Sequence, residues 1–74
     1  MGNAEKQTKQ KIMEIAKEHF SRYGYAGTNL EAIGKEAGVT RGPLYYYFKN
    51  KKELYAAVIE QEKIRVVDQY KQIF

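Results

Sequence analysis

Between Glu36 and Glu53 every charged side chain is positive: Arg41, Lys49, Lys51 and Lys52. Three consecutive tyrosines, Tyr45, Tyr46 and Tyr47, lie among them, preceded by the run Thr40-Arg41-Gly42-Pro43. Cations supply counter-charge to phosphate, and an arginine can instead pair in a bidentate manner with guanine O6 and N7. Tyrosine hydroxyls reach phosphate oxygens, and their rings can lie against sugars or bases. An aromatic segment bracketed by cations is therefore a surface suited to nucleic acid. Enzymatic chemistry has no comparable support. The chain has one histidine and no cysteine, so a nucleophile–base pair has few candidates and a cysteine-containing zinc site is excluded. His19 stands alone beside an apolar stripe and reads as a packing or surface residue rather than a base or metal ligand. No cofactor or metal is expected.

Helices must position these groups. Thr40 can cap a helix whose first turn contains Pro43, where the missing N–H has no intrahelical acceptor to lose. Leu44 and Phe48, four apart, form its inward pair. Consecutive helical residues point about 100° apart, so the three tyrosines fan outward and cannot all be buried. The preceding helix buries Leu30, Ile33, Gly34 and Ala37, ends at Gly38, and leaves Val39 to plug the angle between the two. Gly34 is expected to permit close approach of the next helix, because mid-helix glycine otherwise costs about 1 kcal/mol relative to alanine. Two residues can cap this helix: Thr28, with Glu31 in a capping box, or Asn29.

A first helix is expected from a Thr8 cap, with Ile12, Ile15, Ala16, His19, Phe20 and Tyr23 in one stripe and Gly24 as its stop. A fourth opens at Asn50, with Glu53 at capping-box spacing. Leu54, Ala57, Val58, Gln61, Ile64, Arg65 and Asp68 follow one loose face. Tyr55, Ile59, Val66, Val67, Tyr70, Ile73 and Phe74 add apolar surface that so small a domain cannot cover. The expected fold class is all-α: a small helical bundle with a homeodomain-like helix-turn-helix, made of three helices plus the start of a long fourth. The expected division is a disordered N-terminus over 1–7, a helix-turn-helix domain over 8–55, and a fourth helix over 56–74 that leads into a further C-terminal domain.

With 74 residues there is room for one small domain, and such a domain buries roughly 60% of its unfolded surface. The net charge of +4 and pI of about 9.3 fit a nucleic-acid partner, although placement of the charge says more than its sum. No apolar run approaches the ~18 residues of a membrane span. The N-terminus lacks a signal-peptide core, and Lys6 breaks the myristoylation pattern after Gly2.

In helix-turn-helix geometry the second helix of the pair enters the major groove, N-terminal end first. Thr40, Arg41, Gly42 and Pro43 are then the leading edge. Gly42 lets backbone approach closely, and Pro43 offers apolar contact to a thymine methyl. The Thr40 hydroxyl and the amides beside it can hold phosphate. Tyr45, Tyr46, Tyr47 and Lys51 are read as phosphate anchors, with Tyr45 and Tyr47 as secondary base contacts. Thr28 and Asn29 can hold phosphate on the other side. Lys49 and Lys52 carry less weight, being lysines near a helix end. The alternative reading is a helical protein- or membrane-interaction module acting through the fourth helix. Its mixed charge from Glu60 to Asp68 speaks against a membrane.

The string from Gly24-Tyr25 through Thr28, Ile33 and Ala37-Gly38-Val39-Thr40-Arg41-Gly42-Pro43-Leu44-Tyr45-Tyr46-Tyr47-Phe48-Lys49-Asn50-Lys51 to Leu54 resembles the N-terminal DNA-binding domain of the tetracycline-repressor (TetR) family. Ala16 and Phe20 agree with its first helix, and the likeness runs from about Lys9 to Ile59. The resemblance implies a bacterial, cytoplasmic, nucleoid-associated transcriptional regulator, usually a repressor, that binds a palindromic operator as a homodimer. It also implies a C-terminal helical domain that dimerises and binds a small-molecule inducer. Inducer binding would swing the fourth helix and change the separation of two reading heads, which need about 34–36 Å. Thr28, Thr40, Arg41, Gly42, Pro43, Tyr45, Tyr46, Tyr47 and Lys51 occupy positions that commonly touch DNA in this family. Three residues depart from its pattern. Tyr47 stands where histidine is frequent, Pro43 where a small or polar residue is common, and Gly34 where alanine is usual.

Overall fold

The computed structural model describes the backbone of residues 2–73 and the side chains of residues 6–63. Four helices follow in order: α1 (Gly2–Tyr23), α2 (Leu30–Glu36), α3 (Arg41–Tyr47) and α4 (Lys51–Ile73), with no strand among the described residues. The all-α expectation holds. α1 packs against both α2 and α4, and α2 packs against α3.

The glycine stops act where they were expected. Gly24 takes φ +75° and Gly38 φ +72°, the left-handed region that glycine enters without a Cβ penalty. At Gly38 the α2 end is a Schellman turn: Val39 N–H donates to Gly34 C=O at 2.8 Å and Gly38 N–H to Lys35 C=O at 3.1 Å. Two carbonyls of a short helix are thereby satisfied inside the turn. Val39 is half-buried and packs on the core, as its position in the turn predicts.

Capping settles the choice left open at α2. Asn29 is the cap: its Oδ1 accepts from Glu31 N–H at 2.8 Å and Ala32 N–H at 3.2 Å. Thr28 is buried, 4% exposed, and its hydroxyl donates to Gly24 C=O at 2.7 Å. It closes the α1–α2 connection instead of capping. α4 opens as expected: Asn50 Oδ1 accepts from Glu53 N–H at 2.8 Å, while the Glu53 carboxylate accepts from Lys49 N–H at 3.2 Å. Thr8, in contrast, is not a helix start. α1 begins at Gly2 and runs through 2–7, a segment expected to lie outside it. Ala4, Glu5, Lys6 and Gln7 are all good helix formers, so the helix continues N-terminal to Thr8 and a cap there is not needed.

The core is Ile12, Met13 and Ala16 from α1, Leu30, Ile33 and Ala37 around α2, Leu44 and Phe48 around α3, and Leu54 and Val58 from α4. Met13 was absent from the expected α1 stripe, and Tyr23, placed in it, is 53% exposed. Because α1 is covered by two neighbours, its buried arc is wider than one stripe and ends before the last turn. His19 Nε2 meets the Glu36 carboxylate at 3.0 Å and ties α1 to the end of α2. Gln10 and Gln61 exchange amide hydrogen bonds, and Lys17 pairs with Glu62 at 3.0 Å, joining α1 to α4. Ile64, Arg65, Asp68 and the apolar residues from Val66 onward lie outside the described side chains.

Candidate nucleic-acid interface

α3 is a seven-residue helix held from one side only. Leu44, 2% exposed, and Phe48, 3% exposed, point into the core and fix its azimuth. The opposite arc is then open by geometry. Thr40, Arg41, Gly42, Pro43, Tyr45 and Tyr46 are all exposed. The four residues singled out as a leading edge are thus brought together at one end of the helix.

Their side chains are differently committed. Thr40 is the α3 cap by backbone geometry, at φ −75° and ψ 169°, yet its hydroxyl makes no capping hydrogen bond. Arg41 Nη2 donates to Glu31 Oε1 at 2.6 Å across the α2–α3 angle. That bond, the charge of Glu31 and the neighbouring Tyr45 raise the Arg41 guanidinium above its ordinary pKa. A β-carbon at Gly42 would meet nothing within 4 Å. Pro43 and Tyr47 share a shallow groove with Thr8, Lys11 and Thr40.

The tyrosines divide as consecutive helical residues must. Tyr46 is 76% exposed and Tyr45 37%. Tyr47 is half-buried, packs on the core and meets Tyr46 edge-to-face at 5.2 Å. Beyond α3, Lys51 Nζ donates to Tyr25 C=O at 2.8 Å and lies 4.4 Å from the centre of the Tyr25 ring. Tyr25 in turn stacks on Phe20 and meets Tyr55 edge-to-face, so an aromatic cluster on α1 and α4 places this lysine. Asn29 is exposed and spends its side-chain oxygen on the α2 cap, which leaves its amide N–H2 to donate outward. Thr28 alone among the ten candidates is withdrawn from the surface.

Sequence alone marks Glu31 only as a capping partner and Tyr25 only as a connector, yet the structure sets them against Arg41 and Lys51. The signal available for Glu31 was an acid in the first turn of α2 beside a cationic stretch. For Tyr25 it was an aromatic residue directly after a helix stop. No group of three or more histidines, cysteines or acids that could hold a metal occurs among the described residues. No helix among them is long and apolar enough to cross a membrane.

Residues 12–58 match the family model described as bacterial regulatory proteins, tetR family. The chain is 43% identical over 54 residues to the HTH-type transcriptional regulator AcrR of Shigella flexneri, covering 73% of this chain and 25% of that protein. It is 45% identical over 53 residues to the HTH-type transcriptional regulator RutR of Escherichia coli strain K12, covering 72% and 25%. With the HTH-type transcriptional repressor SCO4008 of Streptomyces coelicolor it shares 39% identity over 57 residues, covering 77% and 30%. The chain therefore spans between a quarter and a third of the length of these relatives. No solved structure matches it significantly. The matched segment contains α2, the Schellman turn and α3 entire, and the chain belongs to the TetR family of bacterial regulatory proteins, a family of DNA-binding transcription regulators and not of enzymes.

Proposed function

We propose that the chain is the DNA-reading head of a transcriptional repressor, with α3 entering the major groove of a palindromic operator. The observation that carries this reading is the exposed tip of α3. Gly42 occupies a helical position where a β-carbon would touch nothing, so the fold does not ask for glycine there. A partner backbone that must come close does. Arg41, Thr40 and Pro43 flank it with donors and an apolar face, in the order that a groove-entering N-terminus presents them.

Tyr45, Tyr46 and Lys51 then hold the phosphates on either side, and the Asn29 amide supports them from α2. These contacts orient the domain without reading sequence. Thr28, buried and bonded to Gly24, supports the loop beneath Asn29 instead of touching the duplex through its side chain. A homodimer built through a C-terminal domain would place two such heads on a palindrome, about 34–36 Å apart for one turn of DNA. A small molecule bound in that domain would release the operator by moving α4, whose Tyr55 and Ile59 are 37% and 38% exposed.

Selection from random duplex DNA tests the reading. Enrichment of a palindrome by the full-length protein with its C-terminal domain, and its loss with Arg41→Ala at unchanged helix content, is the expected result. Binding of no duplex at all, or binding indifferent to salt, would refute it. Co-sedimentation with anionic vesicles in place of DNA binding would favour the interaction-module alternative.

A further inference from the structure

Resting on the reading of α3 as the groove-entering helix, we propose that Glu31 is a positioning residue for base recognition. Its carboxylate holds the Arg41 guanidinium so that the arginine reads a guanine edge and does not act as a phosphate clamp.

The pair joins two helices. Glu31 lies in the first turn of α2, just behind the Asn29 cap, and Arg41 is the first residue of α3. The 2.6 Å contact therefore bridges the beginnings of both elements on the open side of the domain. Both side chains remain accessible, at 56% and 77%. Glu36, the other acid of α2, is already engaged by His19. Lys35, one turn along α2, lines the same shallow groove as Glu31 and Arg41 and keeps the local balance positive.

A carboxylate on a phosphate-facing surface opposes binding, so its presence there calls for a compensating task. Paired with Glu31, Arg41 contributes no net charge, and its pull on phosphate is weakened. Its hydrogen-bonding capacity is only partly used, because a guanidinium has five N–H donors in a rigid fork and the carboxylate takes one. Guanine presents two neutral acceptors, O6 and N7, and is recognised by donor geometry more than by charge. A neutralised, oriented arginine is thus biased toward guanine over phosphate. Tyr45, one turn further along α3, adds to the electrostatic hold on the guanidinium.

The test is selection of a random duplex library with the full chain as wild type, Glu31→Gln, Arg41→Ala and the double variant, followed by salt titrations on the enriched and an unrelated duplex. Wild type should enrich a motif containing a guanine whose preference, roughly 5- to 150-fold for a bidentate pair, disappears with Arg41→Ala. Glu31→Gln should keep the melting profile and lose most of that preference at the same base pair. It should also bind the unrelated duplex more tightly, with a salt slope steeper by about one unit. In the Arg41→Ala background the Glu31→Gln change should leave the motif unaltered. The proposal is overturned if Glu31→Gln raises affinity for every duplex by one common factor with the guanine preference intact. It is equally overturned if Glu31 alters a different base pair without Arg41, because the carboxylate would then read cytosine directly. A wild type that enriches no motif refutes the groove-reading function first, and this proposal falls with it.

Discussion

A β-carbon added to Gly34 would lie 2.7 Å from Cδ2 of Leu44 and 3.4 Å from its Cδ1 and Cγ. α3 packs tightly over α2 at this point, which explains a mid-helix glycine that otherwise lowers helix stability. Leu44 is 2% exposed, so its displaced methyl must find another rotamer inside a packed core. Gly34→Ala gains about 1 kcal/mol of helix propensity and gives back a similar amount, about 0.5–1.5 kcal/mol, in the shifted rotamer. The expected urea midpoint is therefore close to wild type. Gly34→Val adds more atoms against the same leucine and should destabilise by about 1–3 kcal/mol. A valine variant as stable as wild type would mean that α2 and α3 cross farther apart.

Gly42 makes the opposite case, because a β-carbon there meets nothing within 4 Å. Gly42→Ala should leave the folded domain as stable or more stable, by up to about 1 kcal/mol. Duplex affinity should nevertheless fall, and Gly42→Leu should lower it further, since each added atom stands where the groove wall would approach. Thermal denaturation and fluorescence anisotropy on the same samples check the two halves. Stability rising while affinity is retained would remove Gly42 from the interface.

Lys51 is held at its ammonium by the Tyr25 carbonyl at 2.8 Å and against the Tyr25 ring at 4.4 Å. Lys51→Ala should weaken binding to all duplexes alike and reduce the salt slope by about one unit, as loss of one phosphate contact requires. Stability should change little, because a cation over an exposed ring contributes about 0.5–1 kcal/mol. Tyr25→Leu separates placement from charge. It keeps the ammonium and the backbone acceptor but removes the ring, so affinity should drop less than for Lys51→Ala, with the salt slope retained. A loss of slope in Tyr25→Leu would show that the lysine had left the phosphate altogether.

What could be read in advance was local. Gly24, Gly38 and the Asn50–Glu53 spacing act within four residues of themselves, and Leu44 with Phe48 faces inward because four residues nearly complete a helical turn. The glycine at 34 was legible for a related reason: its unfavourable propensity needed an explanation in packing. The rest depended on how elements cross. Arg41 meets Glu31 from ten residues away and Lys51 meets Tyr25 from 26, and no periodicity reports such pairs. Thr28 and Asn29 are adjacent and both good caps. Burial of one beneath the α1–α2 connection decided between them, and burial is a tertiary property. The start of α1 is misread from sequence because Thr8 is a suitable cap, whereas the helix formers from Ala4 to Gln7 carry the helix past it.

Asn29 and Thr40 hold equivalent places at the starts of α2 and α3, yet only Asn29 caps through its side chain, with bonds of 2.8 and 3.2 Å to two amides. Removing a working cap costs typically ~1 kcal/mol, within about 0.5–2, so Asn29→Ala should lower the unfolding midpoint measurably. Thr40→Ala removes no capping bond and should change stability by less than about 0.5 kcal/mol, as for an ordinary surface substitution. The order should reverse in DNA binding. Thr40→Ala deletes an exposed hydroxyl at the α3 tip and should reduce duplex affinity at unchanged stability. Asn29→Ala should reduce it only in proportion to the loss of α2 order and of one amide donor. Paired urea titrations and anisotropy measurements decide the matter: a Thr40→Ala variant that loses stability and keeps its affinity would make Thr40 a structural cap and take it out of the reading surface.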